Sequence, residues 1–213
     1  MSRPRVLLAD DHRIVAEGLK GILTPEFELV GIVEDGRALV EAAQKTAIDV
    51  IVADIGMPEL NGIDALEQLK EQDPNVKVVF LTMHREVAYA RRALEAGAVG
   101  FVLKHSAPEE LVMAIRAAIN GQTFISPAMA GEVLESMKSD PDLSQDPVTS
   151  LTPRQREVLQ LLAEGKRAKE AAATLGISAR TVEFHKYEIM QVLDIHNSAE
   201  LVHFAIKHGI VDI

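Results

Sequence analysis

The sequence predicts a doubly wound α/β domain on a five-stranded parallel sheet, followed by a smaller all-α domain that carries a helix-turn-helix. Three observations predict it. Short apolar runs alternate with helix-period segments as far as residue 121, a stretch rich in Ser, Asp and Pro follows (SPAMAGEVLESMKSDPDLSQDPVTS, 126–150), and beyond it only helical patterns remain. Strands alternating with helices make a parallel sheet covered on both faces. The 213 residues accordingly divide into 1–121, a linker with a short helix at 122–148, and 149–213.

VLLAD opens the sheet and RIVAEGLKGIL supplies the first helix; FELVGIV and ALVEAAQ repeat the pair. DVIVAD, KVVFLT and VGFVLK are the remaining strands, with IDALEQL, VAYARRALEAG and PEELVMAIRAAING as their helices. Central parallel strands are buried on both faces, which is why they read as unbroken apolar runs. In the linker, Val133, Leu134 and Met137 mark a short helix ahead of an acidic stretch.

The C-terminal segment begins LTPRQREVLQLLAEG, where Thr152-Pro153 with Glu157 following starts a helix that Gly165 stops. A second helix, Lys169 to Leu175, ends at Gly176, and Ser178 caps a third. Two helices joined by a turn containing Gly suit either a plain helical bundle or a helix-turn-helix, whose second helix enters the major groove of DNA. Steps of about 100° along the third helix put Val182, Ile189 and Leu193 on a core stripe, with His185 and Lys186 at its edges. Arg180, Phe184, Tyr187 and Gln191 lie opposite, flanked by Glu183 and Glu188. Leu201, Val202, Ala205 and Ile206 of the last helix suit either a bundle core or pairing between subunits.

A net charge of −10 argues against nucleic acid when read globally, because phosphate contacts need Lys and Arg. By segment, residues 1–126 hold 13 basic and 19 acidic side chains, 127–150 hold 1 and 5, and 151–213 hold 8 and 8. The repulsive charge thus sits outside the C-terminal segment. There is no cysteine, so no disulfide framework or thiolate metal site exists, and a reducing compartment fits best. MSRPRVLLADDHR turns acidic too soon for a secretory signal, and no stretch approaches the length of a membrane span. The expectation is a cytoplasmic protein with no membrane partner.

One edge of the sheet is chemically unusual. Asp10 and Asp11 follow VLLA, Asp54 follows VIVA, Thr82 ends VVFLT, and Lys104 follows GFVL. A single Asp ending a strand is ordinarily a turn or helix cap. Five such residues at the carboxyl ends of four strands share the crevice where ligands of these sheets bind. Crowded carboxylates repel unless a cation offsets them, and Mg²⁺, which prefers oxygen ligands, suits the set. Lys104 would add a positive charge for an incoming phosphoryl oxyanion, Asp54 on the middle strand would be the nucleophile, and Thr82 would bond the phosphate once formed.

The DD pair at 10–11, DIGMPELNG from Asp54 to Gly62, LTMH at 81–84 and AGAVGFVLK ending at Lys104 resemble a response-regulator receiver domain over about residues 4–121. LTPRQREVLQLLAEGKRAKEAA, LGIS and TVEFH resemble the LuxR-type DNA-binding domain of the NarL/FixJ regulators over about residues 149–210. The first resemblance implies a flavodoxin-like fold, Mg²⁺ bound through Asp10 or Asp11 and Asp54 with Gly56, and a phosphoryl group taken by Asp54 from a sensor histidine kinase. It also implies a switch in which Thr82 moves to the phosphate and Phe101 turns inward, with Gly56 and His84 placed to affect phosphate hydrolysis. The second implies double-stranded DNA as partner, contacted through Lys169, Arg180, Thr181, Glu183, Phe184, Lys186 and Tyr187, and a homodimer when phosphorylated. The family usually has more Lys and Arg on this face, and Gly where Asp194 follows the third helix.

Two rivals follow from the same residues. One keeps the receiver but makes the C-terminal part a protein-interaction module, in keeping with its zero net charge. The other is a Mg²⁺-dependent phosphatase of the haloacid-dehalogenase type, which places Asp-x-Asp after its first strand where this chain has adjacent Asp10-Asp11. The expected protein is not a turnover enzyme: it accepts one phosphoryl group and slowly loses it.

Overall fold

The computed structural model describes residues 3–106, 108–138 and 147–211. Strands β1 (Arg5–Ala9), β2 (Glu28–Val33), β3 (Val50–Ala53), β4 (Val78–Thr82) and β5 (Gly100–Leu103) alternate with helices α1 (Arg13–Leu23), α2 (Gly36–Lys45), α3 (Gly62–Gln72), α4 (Val87–Glu95) and α5 (Pro108–Ile119). With β6 (Phe124–Ile125) they form a parallel sheet in the order β2-β1-β3-β4-β5-β6. Alternate side chains of the central strands point to opposite faces. Val6, Leu8, Val50, Val52 and Val79 share a core with Leu19 and Leu23 of α1 and Leu111 and Ile115 of α5, while Leu7, Ile51, Phe80 and Phe101 share one with Leu39, Leu66 and Ala90 of α2, α3 and α4.

The sixth strand corrects the expected five. Two residues are too few to show a period, and β6 exists because it pairs with β5, Phe101 opposite Ile125. Ser126 locks the junction: its N–H donates to the Phe101 carbonyl at 2.9 Å, and its hydroxyl accepts from Leu103 N at 3.3 Å and donates to Glu110 at 2.6 Å. The linker helix α6 (Pro127–Lys138) is also longer than expected. It buries Met129 and Val133, whereas Leu134 and Met137 are exposed, so its apolar pattern is weak in the sequence. The acidic stretch expected after it falls largely outside the described residues.

A 3-10 turn at Pro147–Ser150 leads into α7 (Pro153–Ala163), α8 (Ala168–Leu175), α9 (Ala179–Val192) and α10 (Ser198–Lys207). Helix α7 starts where expected, with Thr152 as its N-cap and Gln155 completing a capping box. Glu157 accepts from Arg37 Nη2 of α2 at 2.8 Å. Val158, Leu159 and Leu161 join Ala171, Val182, Ile189 and Leu201 in a separate helical core.

The turn after α9 is a Schellman motif: Ile195 N donates to the Met190 carbonyl at 2.8 Å and Asp194 N to Gln191 at 3.3 Å. It puts Asp194 at φ +53°, a left-handed conformation that opposes any Cβ. Asp194→Gly is therefore expected to raise stability by about 0.5–1 kcal/mol, the left-handed penalty less the extra freedom of Gly in the unfolded chain. Thermal unfolding of the two proteins checks it.

The two domains are docked through the polar face of α7. Arg156 donates Nε to Asp64 Oδ1 of α3 at 2.5 Å and Nη1 to the Leu151 carbonyl at 3.1 Å, and its Nη2 pairs with Glu67. Burial works against the guanidinium charge, but Asp64 and Glu67 outweigh it and hold the Arg156 pKa above its ordinary value. At the other end, Arg92 Nη1 of α4 donates to the His208 carbonyl at 3.1 Å.

Candidate functional site

The parallel register sets the chemistry. Ala9 pairs with Ala53, and Asp54 N donates to the Ala9 carbonyl at 2.9 Å, so Asp10 and Asp54 leave adjacent strands side by side. Thr82 pairs with Leu103, which brings Thr82 and Lys104 to the same edge. The Lys104 ammonium lies 2.8 Å from Asp10 Oδ2 and 2.5 Å from Asp54 Oδ2. Asp10 and Asp54 are buried, whereas Asp11 and His12 are exposed at the rim.

Ligand atoms of Asp10, Asp11, His12 and Asp54 all lie within 4.8 Å of one another. Their oxygen-rich chemistry fits a hard divalent cation. Gly56, two residues beyond Asp54, can offer only its backbone carbonyl. His12 was not anticipated by the sequence reading: its N–H donates to Asp10 Oδ1 at 2.9 Å, and its Nδ1 lies 2.8 Å from Asp11 Oδ1. It had no distinguishing signal, being one ordinary residue after the DD pair.

Burial pushes the Asp54 carboxyl above the usual carboxylate range; Lys104 pulls it back and Asp10 adds to the rise. The ionised form is thus disfavoured in the folded protein. A raised carboxyl contributes stability below its unfolded pKa and loses it as pH climbs through the folded value. In metal-free protein, Asp54→Asn should therefore melt higher than wild type at pH 7, with the advantage shrinking as pH falls toward about 4. Thermal melts across that range check it.

Gly62, the first residue of α3, is required for closeness: a Cβ there would stand 2.2 Å from the Asp54 carbonyl oxygen. Thr82 is fully buried, and its hydroxyl accepts from His84 N at 3.2 Å. Phe101 is already fully buried, in one core with Tyr89, Met129 and Val133. The ring thus already sits inside in this structure.

In the helix-turn-helix, a left-handed turn at Gly176 (φ +65°) joins α8 to α9, and Ser178 Oγ accepts from Thr181 N at 3.1 Å. Lys169, Arg180, Glu183, Phe184 and Tyr187 are exposed, and Thr181 and Lys186 are half-buried. Phe184 and Tyr187 are 56% and 61% exposed, unusual for apolar rings unless a partner covers them. Gln191 Nε2 donates to the Tyr187 hydroxyl at 2.7 Å. Glu188 does not belong to this face. It is half-buried against α7, 3.5 Å from Gln155 Nε2.

Residues 6–116 match the family described as response regulator receiver domain, and residues 149–205 the one described as bacterial regulatory proteins, luxR family. The chain is 32% identical over 207 residues to the response regulator UvrY of Escherichia coli, covering 96% of this chain and 94% of that protein. It is 34% identical over 215 residues to the oxygen regulatory protein NreC of Staphylococcus carnosus, covering 98% and 99%. Among solved structures, RcsB from Salmonella enterica serovar Typhimurium, bound to promoter P1flhDC in the presence of phosphomimetic BeF3−, aligns with a TM-score of 0.65 at 28% identity over 97% of this chain and 100% of that one. The chain belongs to the NarL/FixJ family of two-component response regulators, a receiver joined to a LuxR-type helix-turn-helix domain. It is thus a phosphorylation-regulated DNA-binding transcription factor. The protein-interaction and phosphatase alternatives give way to that architecture. No helix among the described residues is long and apolar enough to cross a membrane.

Proposed function

We propose that Asp54 is the phosphoacceptor and that a sensor histidine kinase is the donor. The single observation that supports this most is the Lys104 ammonium bridging Asp10 and Asp54 at the ends of three strands. A carboxylate oxygen of Asp54 forms the new P–O bond as the P–N bond to the kinase imidazole breaks. Lys104 pairs with a phosphoryl oxygen, and Thr82 leaves His84 N to donate to another. Asp10, Asp11 and Asp54, with the Gly56 carbonyl, would hold Mg²⁺. When bound, Mg²⁺ offsets the charge of the carboxylates and of the phosphoryl oxygens. No turnover enzyme is implied, and the protein acts in the cytoplasm.

The test is single-turnover labelling. With Mg²⁺ and a small phosphodonor, one phosphoryl group should add per chain, seen as an intact-mass increase, with no continuing hydrolysis of small phosphoesters. Continuing turnover would contradict the assignment.

For DNA, we propose that Arg180, Phe184 and Tyr187 face the major groove, with Lys169, Thr181 and Lys186 at its flanks and Glu183 opposing phosphate. So few cations make each subunit a weak binder, and useful affinity comes from a phosphorylated homodimer on paired half-sites. Arg180→Ala should weaken binding to a mixed duplex pool and Glu183→Arg strengthen it. Each change should move the log–log salt slope by about one unit, in opposite directions. Salt titrations of DNA binding check both.

A further inference from the structure

His12 stands where a helix cap belongs but does not act as one. It is the N-cap residue of α1, a place usually filled by Ser, Thr, Asp or Asn, whose side chains bond the open backbone N–H groups of the first turn. The His12 side chain makes no such bond. Its backbone N–H is tied to Asp10 Oδ1 at 2.9 Å, and its ring lies over the carboxylates, with Nδ1 2.8 Å from Asp11 Oδ1 and 3.4 Å from Asp10 Oδ1. The side chain is 62% exposed, so an ion can reach it from solvent.

Among the described residues, Asp10, Asp11, His12 and Asp54 are the one group of three or more carboxylate and imidazole side chains near enough to share an ion. Three carboxylates facing the Lys104 ammonium leave an excess of two negative charges, which one divalent cation neutralises. The imidazole decides which cation. Mg²⁺ takes oxygen ligands and keeps several waters, so a nitrogen adds little to its binding. Zn²⁺ takes imidazole nitrogen and carboxylate oxygen readily and is satisfied by four ligands in a tetrahedron, whose corners lie about 3.4 Å apart for bonds of about 2.1 Å. The four ligand atoms here lie within 4.8 Å of one another, and modest side-chain rotations close the difference. The neutral ring carries one proton, and with Nδ1 on the ion that proton sits on Nε2.

We propose that His12, through Nδ1, is the fourth ligand of a Zn²⁺ site that overlaps the phosphorylation site, completed by Asp10, Asp11 and Asp54, and that Zn²⁺ bound there blocks phosphorylation. The inference rests on those three carboxylates forming the Mg²⁺ site. Four protein ligands fill a tetrahedral shell and leave no coordination position for a phosphoryl oxygen. Zn²⁺ therefore competes with Mg²⁺, and labelling of Asp54 depends on which ion is in excess.

Full-length protein freed of metal is titrated with Zn²⁺ in competition with a chromophoric chelator and, separately, with Mg²⁺. One Zn²⁺ should bind per chain. His12→Ala should weaken Zn²⁺ binding by about 10–100-fold, the range lost when a ligating set is disturbed, and shift Mg²⁺ binding by less than about threefold. His12→Asn gives α1 a better cap and no imidazole, and should also lose Zn²⁺ affinity, which separates loss of a ligand from loss of a fold. Co²⁺, a spectroscopic stand-in for Zn²⁺, should give the intense visible bands of a tetrahedral site in wild type and only weak bands in His12→Ala. With a small phosphodonor and Mg²⁺ present, Zn²⁺ should suppress phosphorylation of wild type and excess Mg²⁺ should restore it. His12→Ala should need at least about tenfold more Zn²⁺ for the same suppression. Zn²⁺ affinity unchanged in both His12 variants, or Zn²⁺ held through His12 with no loss of phosphorylation, would overturn the proposal. Mg²⁺ binding unchanged in Asp10→Asn would instead overturn the carboxylate site on which it rests, which keeps the two failures apart.

Discussion

Asp54→Asn is expected to take no phosphoryl group under conditions that label the wild type fully. The amide nitrogen is not a nucleophile and the remaining oxygen carries no charge, so the P–O bond cannot form. The fold survives, because the burial that pushes the Asp54 carboxyl pKa upward favours a neutral side chain at that position. Asp11→Asn, at the exposed rim, should still be labelled but need more Mg²⁺ for half-maximal labelling. Intact-mass measurement over a Mg²⁺ series separates the two roles. Undiminished labelling of Asp54→Asn would mean that another residue accepts the group.

Arg156→Met is expected to undock the domains. Without the guanidinium, Asp64 keeps an amide donor from Asn61 but no cation, at 2% exposure. Breaking a buried pair by removing one partner costs about 3–5 kcal/mol. The molecule can escape that cost by separating α7 from α3, which hydrates Asp64 and leaves both cores intact. The loss should therefore appear as undocking rather than unfolding. Amide exchange at Glu59 and Asn61, whose N–H groups are bonded by α7 and the turn after it, reports it directly. Protection at those two amides should fall, while Val52 in the sheet stays protected.

The sheet and its reactive edge were legible because their signals are local. Each central strand is an apolar run, and the residue after it must lie at the carboxyl edge, so Asp10, Asp54 and Lys104 were placed without knowledge of their neighbours. Asp194 was legible only through the resemblance, which has Gly where this side chain meets a left-handed turn. What could not be read depends on contacts made at a distance. Phe124-Ile125 becomes a strand only by pairing with β5, and the helix after it brings Met129 and Val133 into the core that buries Phe101. Arg156, Glu157 and Gln160 are polar residues on a helix and so read as a solvated face; they are buried only because a second domain meets them. Glu188 is displaced from the groove face by the position of α7, which a helical wheel of α9 alone does not contain.

Phosphate at Asp54 is expected to change what the C-terminal domain does on DNA. The direct measurement is the affinity of full-length protein for a pool of duplexes at fixed salt, before and after treatment with a small phosphodonor and Mg²⁺, with Asp54→Asn in parallel. Wild type should bind more tightly after treatment, with retained complexes containing two chains, and Asp54→Asn should bind equally before and after. Wild-type protein carrying a confirmed phosphoryl group on Asp54 but binding DNA no better than the untreated protein would contradict the account.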